Sequence, residues 1–160
     1  MAGRPGEAGG EPGSPGAPAR SASMKAVLVG RHKLLSAQQE ALRELGVEII
    51  RQELQLPESQ NELARLVESW RREGVEAIVT GGLPPHLVAA LSKPGMRVLQ
   101  LRMRAVATVK SEEEVKRLVA EKPEWRVALP APDGSSHRVM EFEGIYELRV
   151  VVEERRLWPP

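Results

Sequence analysis

Cysteine is absent from this 160-residue chain. That excludes disulfides, thiolate catalysis and Cys-ligated zinc or iron–sulfur centres, and it makes a reducing cytoplasm the expected location. Aspartate occurs once, at Asp133, and asparagine once, at Asn61. No metal-ligand spacing of the H-E-x-x-H kind occurs, so neither a metal nor a cofactor is expected. Paired carboxylates are missing from the predicted strand ends, which argues against glycosidase chemistry. Aromatic residues make up 3% of the chain, too few for a base-stacking platform. No apolar run has the length of a membrane span. A G-x-x-x-x-G-K-[ST] loop is lacking, and where a G-x-G-x-x-G would follow the first strand the chain reads "VGRHKLL". ATP hydrolysis and dinucleotide-dependent redox chemistry are therefore not expected. Ser36 and Ser92 have no G-x-S-x-G context.

The chain contains two different materials. Residues 1–23, "MAGRPGEAGGEPGSPGAPARSAS", hold ten Gly or Pro, five Ala and no large apolar side chain. Such a stretch cannot offset its ordering entropy, so it is predicted to be a disordered tail. It reads as a flexible arm, or as an extension upstream of a chain that starts at Met24. Its two Arg and two Glu cancel, leaving residues 24–160 with the net charge of +1 of the whole. Bulk charge thus argues against general nucleic-acid binding.

Residues 24–160 read as one α/β domain. Lys25–Gly30 is a short apolar run of the kind buried on both faces of a sheet. A helix over Ser36–Leu45 follows, with Ser36 as N-cap and Gln39 three residues on, and Gly46 closes it. Val47–Leu56 is a second strand. Ser59 begins a helix whose apolar stripe is Leu63, Leu66, Val67 and Trp70. Val75–Thr80, the loop Gly81–Gly82, a short helix from Pro84 or Pro85, and the strand Met96–Leu101 come next. A helix over Ser111–Glu121 carries Glu112 to Glu114 in its first turn, where the helix dipole favours anions. After Pro123 three strands are predicted, in "WRVALP", "HRVMEF" and "YELRVVVEERRLW", parted by the turn "PDGSS" and by Gly144. The alternation implies a Rossmann-like or flavodoxin-like, mainly parallel sheet with a C-terminal antiparallel β-meander.

In such sheets ligands lie outside the carboxyl ends of the strands, where strand order reverses. The first strand is followed there by Arg31 and His32, the third by Gly81, Gly82 and His86, and the fourth by Arg102 and Arg104. Helix N-termini at Ser36 and Pro85 offer N–H groups to an anion. The glycines permit close backbone approach, and arginine forks suit phosphate. His32 and His86, as proton donor and acceptor, are the candidate catalytic residues. Arg31, Ser36, Gly81, Gly82, Arg102 and Arg104 are the candidate ligand contacts. Arg102 and Arg104 also fit the solvent face of an extended segment, "LRMRAVATV", and His137 is read as a surface residue at a strand start.

The opening strand, His32, Leu34 and Gln38 resemble the H-x-L-T-x-x-Q start of small Rossmann-like proteins encoded beside type III CRISPR antiviral systems. Leu35 stands at the Thr position, and Ser36 comes one place late. The resemblance covers this opening stretch and the general fold. Related families bind cyclic oligoadenylate and some cleave it without metal; by this resemblance His32 is the residue carried over.

Three functions are compatible with these observations. The first is binding of a nucleotide or phosphodiester, with or without metal-independent cleavage that uses the substrate's own 2′-hydroxyl. The second is a non-catalytic homo-oligomeric module. Tyr146, Leu148, Val150 and Val152 alternate with charged residues before "RRLWPP", a pattern suited to an edge strand pairing with a second copy in a homodimer. The third is a small hydrolase acting on another metabolite.

Overall fold

The computed structural model describes residues 23–31 and 33–159. Residues 1–22, nearly all of the predicted tail, and His32 lie outside them. Among the described residues the elements run β1 (Met24–Val29), α1 (Ser36–Glu44), β2 (Val47–Glu53), α2 (Gln60–Arg72), β3 (Val75–Thr80), α3 (Pro85–Ser92), β4 (Arg97–Val109), α4 (Glu112–Glu121), β5 (Arg126–Pro130) and β6 (His137–Leu148). They form one α/β unit around a six-stranded sheet of order β2-β1-β3-β4-β6-β5. The first four strands are parallel, and β6 runs antiparallel to both β4 and β5.

The inner parallel strands β1 and β3 are apolar over Ala26–Val29 and Ala77–Val79, where both their faces are covered. Ala26, Val27, Ala77, Ile78 and Val79 are fully buried. Val27 and Ile78 pack with Leu63, Val67 and Trp70 of α2 and with Val88 and Leu91 of α3. Ala26, Ala77 and Val79 pack on the other face with Leu42 of α1. Each such large side chain contributes about 1.5–3 kcal/mol of transfer free energy. The chain thus steps from β1 outward to β2 with α1 on one face, then returns past β1 with α2 and α3 on the other. The reversal falls between β1 and β3.

Helix starts follow the predicted chemistry with one correction. Ser59 accepts from the Glu62 N–H at 3.3 Å and Ser111 from the Glu114 N–H at 3.3 Å, both as N-caps. In α1 the cap is Leu35, Ser36 is already the first helical residue, and Gln38 accepts from the Leu35 N–H at 2.8 Å. The helix begins one residue earlier than Ser36 as cap would place it, so Gln38 rather than Gln39 makes the reciprocal bond.

The C-terminal third departs furthest from expectation. β4 does not stop at Leu101 but continues to Val109. Beyond Gln100 it no longer pairs with β3, and its partner is β6 alone. With β5 on the far side of β6, these strands form a three-stranded wing that extends past the carboxyl ends of the parallel strands. Register shifts between Arg102 and Met103 and between Ala105 and Ala107 mark bulges that raise the local twist. Gly144 lies opposite Arg102 beside the first of these, so it is a bulge within one strand and not the predicted turn between two. The second and third predicted strands are one: β6 runs on through Tyr146 to Leu148, and residues 149–159 have no regular structure. The meander is therefore a hairpin, β5–β6, with β6 inside the sheet and β5 at its edge. Its turn is built by Asp133, which accepts from the N–H groups of Ser135 and Ser136 at 3.0 and 2.9 Å and from the Ser136 hydroxyl at 2.6 Å.

Candidate functional site

A cavity of about 660 Å³ opens where β1 and β3 part. Its floor is the strand ends Val29, Gly30 and Thr80 with the loop Gly81–Gly82. One wall comes from Leu54 and Leu56 after β2 and from Leu83 and Leu87 at α3. The wing supplies the other, through Leu101 and Met103 of β4 and Val127 and Leu129 of β5. Among the described residues, three lining side chains are polar or charged besides Gln55: Lys33, Gln38 and Thr80. An apolar cavity of this size with a few convergent polar groups is the usual form of a small-molecule site.

The floor is locked by local hydrogen bonds. Gly30 has φ 145, a conformation only glycine adopts readily. Its N–H donates to the Glu53 carbonyl at 2.9 Å, and its own carbonyl accepts from Gln52 Nε2 at 2.8 Å. Thr80 is buried, and its Oγ1 accepts from the Gly82 N–H at 3.2 Å and donates to the Gly82 carbonyl at 3.3 Å. Gln100 Nε2 donates to the Gly81 carbonyl at 3.2 Å. The loop is thereby held before any ligand arrives. A Cβ on Gly82 would meet only Gln100 Nε2, at the ordinary distance of 3.6 Å. Steric approach does not require glycine at that position.

Of the residues singled out from the sequence, Gly81 and Gly82 line this cavity. Ser36 stands between two lining residues, Leu35 and Gln38, without lining it. Arg31 is exposed and outside the lining, and His32 is outside the described residues. His86 is the second residue of α3, exposed, and lines a different groove of about 680 Å³ between α2 and α3, with Glu68, Arg71 and Lys93.

Arg102 and Arg104 are on β4 and not on a rim loop. Side chains alternate along a strand, so Leu101 and Met103 reach the cavity while the arginines take the opposite face. Arg102 stacks 3.6 Å from the Tyr146 ring centre and donates to Gln100 Oε1 at 3.1 and 3.2 Å. Arg104 pairs with Glu141 at 3.0 Å.

Glu141 is the centre of a structural cluster. Its carboxylate also accepts from Arg126 Nε at 2.8 Å, with Lys122 at 3.7 Å. Arg126 reaches on to the Leu118 carbonyl at 2.8 Å, tying α4 to the wing. The Arg126 hydrogen bond, opposed by burial and aided by Arg104, holds the Glu141 carboxyl below its ordinary value.

The helix ends are also less open than their sequences imply. The Ala37 N–H donates to the Glu124 carbonyl at 3.1 Å, and Pro85 has no N–H to offer. Lys33 and Gln38 line the cavity although sequence reasoning does not single them out as site residues, and Gln38 carries a signal. It stands four residues before buried Leu42 on the inner stripe of α1, a polar residue at an apolar position. Nothing in the sequence marks Val127 and Leu129, which arrive from the far edge of the sheet.

No protein-family model, curated protein or solved structure matches this chain.

Proposed function

We propose that this chain binds a small nucleotide-like ligand in the cavity between β1 and β3, with its flat ring system among the leucines and its anionic end toward Lys33. The observation that carries this reading is the cavity itself: about 660 Å³, mostly apolar, at the point where strand order reverses. The parallel order β2-β1-β3-β4 is compatible with a flavodoxin-like arrangement, in which the corresponding crevice holds the ligand, and this supports the reading. Cyclic oligoadenylate belongs to this ligand class, and so do mononucleotides.

The reading is one of binding, without cleavage. His86 faces another groove, and Arg102 and Arg104 already have partners. The test is a thermal-shift panel on the full chain with mononucleotides, cyclic dinucleotides and cyclic oligoadenylates, alongside Leu87→Trp, which fills the cavity. A ligand at about a hundred times its Kd adds about 2.7 kcal/mol, a rise of about 10 °C. A shift lost in Leu87→Trp supports the site. A flat panel refutes it for these ligands, and cleavage that disappears in His32→Ala would overturn the non-catalytic part.

Assembly into a homodimer has its own supporting observation. Val151, Val152, Leu157 and Trp158 are 74–84% exposed on the segment after β6, an apolar surface that pairing with a second copy would cover. Sedimentation of the full chain against a truncation at Leu148 tests it, and identical monomer profiles would exclude it.

A further inference from the structure

We infer that Gln38 gives the cavity a fixed hydrogen-bond polarity, so that the site selects ligands presenting an acceptor, a ring nitrogen or carbonyl oxygen, to the end of the cavity between α1 and Met103. This rests on the cavity being the ligand site. Gln38 is 4% exposed and lines a cavity whose surroundings are otherwise largely aliphatic. A buried amide without partners costs free energy, so its groups are normally satisfied.

Half of this one is. Its Oε1 accepts from the Leu35 N–H at 2.8 Å. That bond also settles which end of the amide is which, since an N–H needs an oxygen opposite it. The NH₂ end is therefore turned the other way, where its one hydrogen-bond contact among the described residues is Met103 Sδ at 3.4 Å. A thioether is a weak acceptor, and an NH₂ group has two hydrogens. Strong donor capacity is left over at the cavity wall, and it cannot be exchanged for acceptor capacity by flipping the amide, because the helix cap would lose its bond. Thr80, the other buried polar residue of the lining, already donates its hydrogen to the Gly82 carbonyl. The interior end of the site thus offers Gln38 as its side-chain donor.

The experiment is an amide-resolved NMR titration of the full chain with three bicyclic probes of similar shape. Quinoline carries an acceptor, indole a donor, and 1-methylindole neither. Quinoline is expected to bind about fivefold more tightly than 1-methylindole, the factor that one neutral hydrogen bond supplies. In Gln38→Met, which keeps length and apolar bulk, that ratio falls to about one. In Gln38→Glu one carboxylate oxygen still accepts from Leu35 and the other faces the cavity as an acceptor, so preference passes to indole. The charge sits in the first turn of α1, where the helix dipole favours it. Equal affinity of quinoline and 1-methylindole for the unaltered chain overturns the inference, as does a ratio that persists in Gln38→Met. Either result leaves the cavity as a ligand site. If no probe shifts the amides of Gly82 and Leu83, or if all three bind unchanged in Leu87→Trp, it is the site itself that fails.

Discussion

Thr80 holds the loop that floors the candidate site, and two substitutions separate what its hydroxyl does from what its methyl does. Thr80→Val keeps the shape and removes the oxygen. The Gly82 N–H and carbonyl, now bonded at 3.2 and 3.3 Å, lose their partner. A buried group left unpaired costs about 1–3 kcal/mol, but Gly82 is exposed and water replaces part of the loss, which places the cost at about 1 kcal/mol. Thr80→Ser keeps the oxygen and removes a buried methyl group. That costs about 0.8 kcal/mol in transfer free energy plus a small cavity contribution. The two variants should therefore melt within about 2 °C of each other, a few degrees below the unaltered chain.

They should differ in the loop. Hydrogen exchange at the Gly82 amide is expected to quicken about fivefold in Thr80→Val, in proportion to the lost bond, and to stay unchanged in Thr80→Ser. Ligand affinity should follow the loop, falling in the Val variant only. Unchanged Gly82 exchange in Thr80→Val, or equal loosening in both variants, would refute the reasoning.

Two further outcomes test the frame around the site. The Glu141 carboxyl has its folded-state pKa lowered chiefly by the Arg126 hydrogen bond; its stabilising contribution is therefore complete above the ordinary carboxylate range and is lost as pH falls through the lowered value. Urea unfolding at pH 7 and pH 3 should show a smaller acid-induced loss in Glu141→Gln than in the unaltered chain, and an equal loss would refute the cluster's role. Gly30→Ala forces a side chain into φ 145, at a cost of about 1–3 kcal/mol; calorimetry should show a clearly lowered Tm, and an unchanged Tm would mean that the strand exit relaxes without strain.

Much of the fold follows from local signals. Runs such as "KAVLVG" and "VEAIVT", short and apolar, belong only in strands covered on both faces, and the helical stripes between them supply the cover. Ser59 and Ser111 are caps wherever the helices that follow them pack. The reversal between β1 and β3 is set by the strand pairing, while the alternation of strands and helices implies a parallel sheet with a ligand crevice at its strand ends. Gly81 and Gly82 could be placed there from the chain alone.

The chemistry of the cavity could not. Whether Arg102 and Arg104 meet a ligand depends on where β4 ends, and β4 continues because β6 offers it a twelve-residue partner edge that lies far along the chain. Extension of the strand puts Leu101 and Met103 on the cavity side and turns the arginines to Tyr146 and Glu141. His86 shares a rim with the glycines in sequence order, yet the turn of α3 aims it toward α2. The sequence by itself determined the α/β alternation, the Ser59 and Ser111 caps and the expectation of a crevice at the strand ends. Only the tertiary structure decided that the crevice is lined by leucines and one oriented amide, because strand pairing over long separations selects which face every second side chain takes.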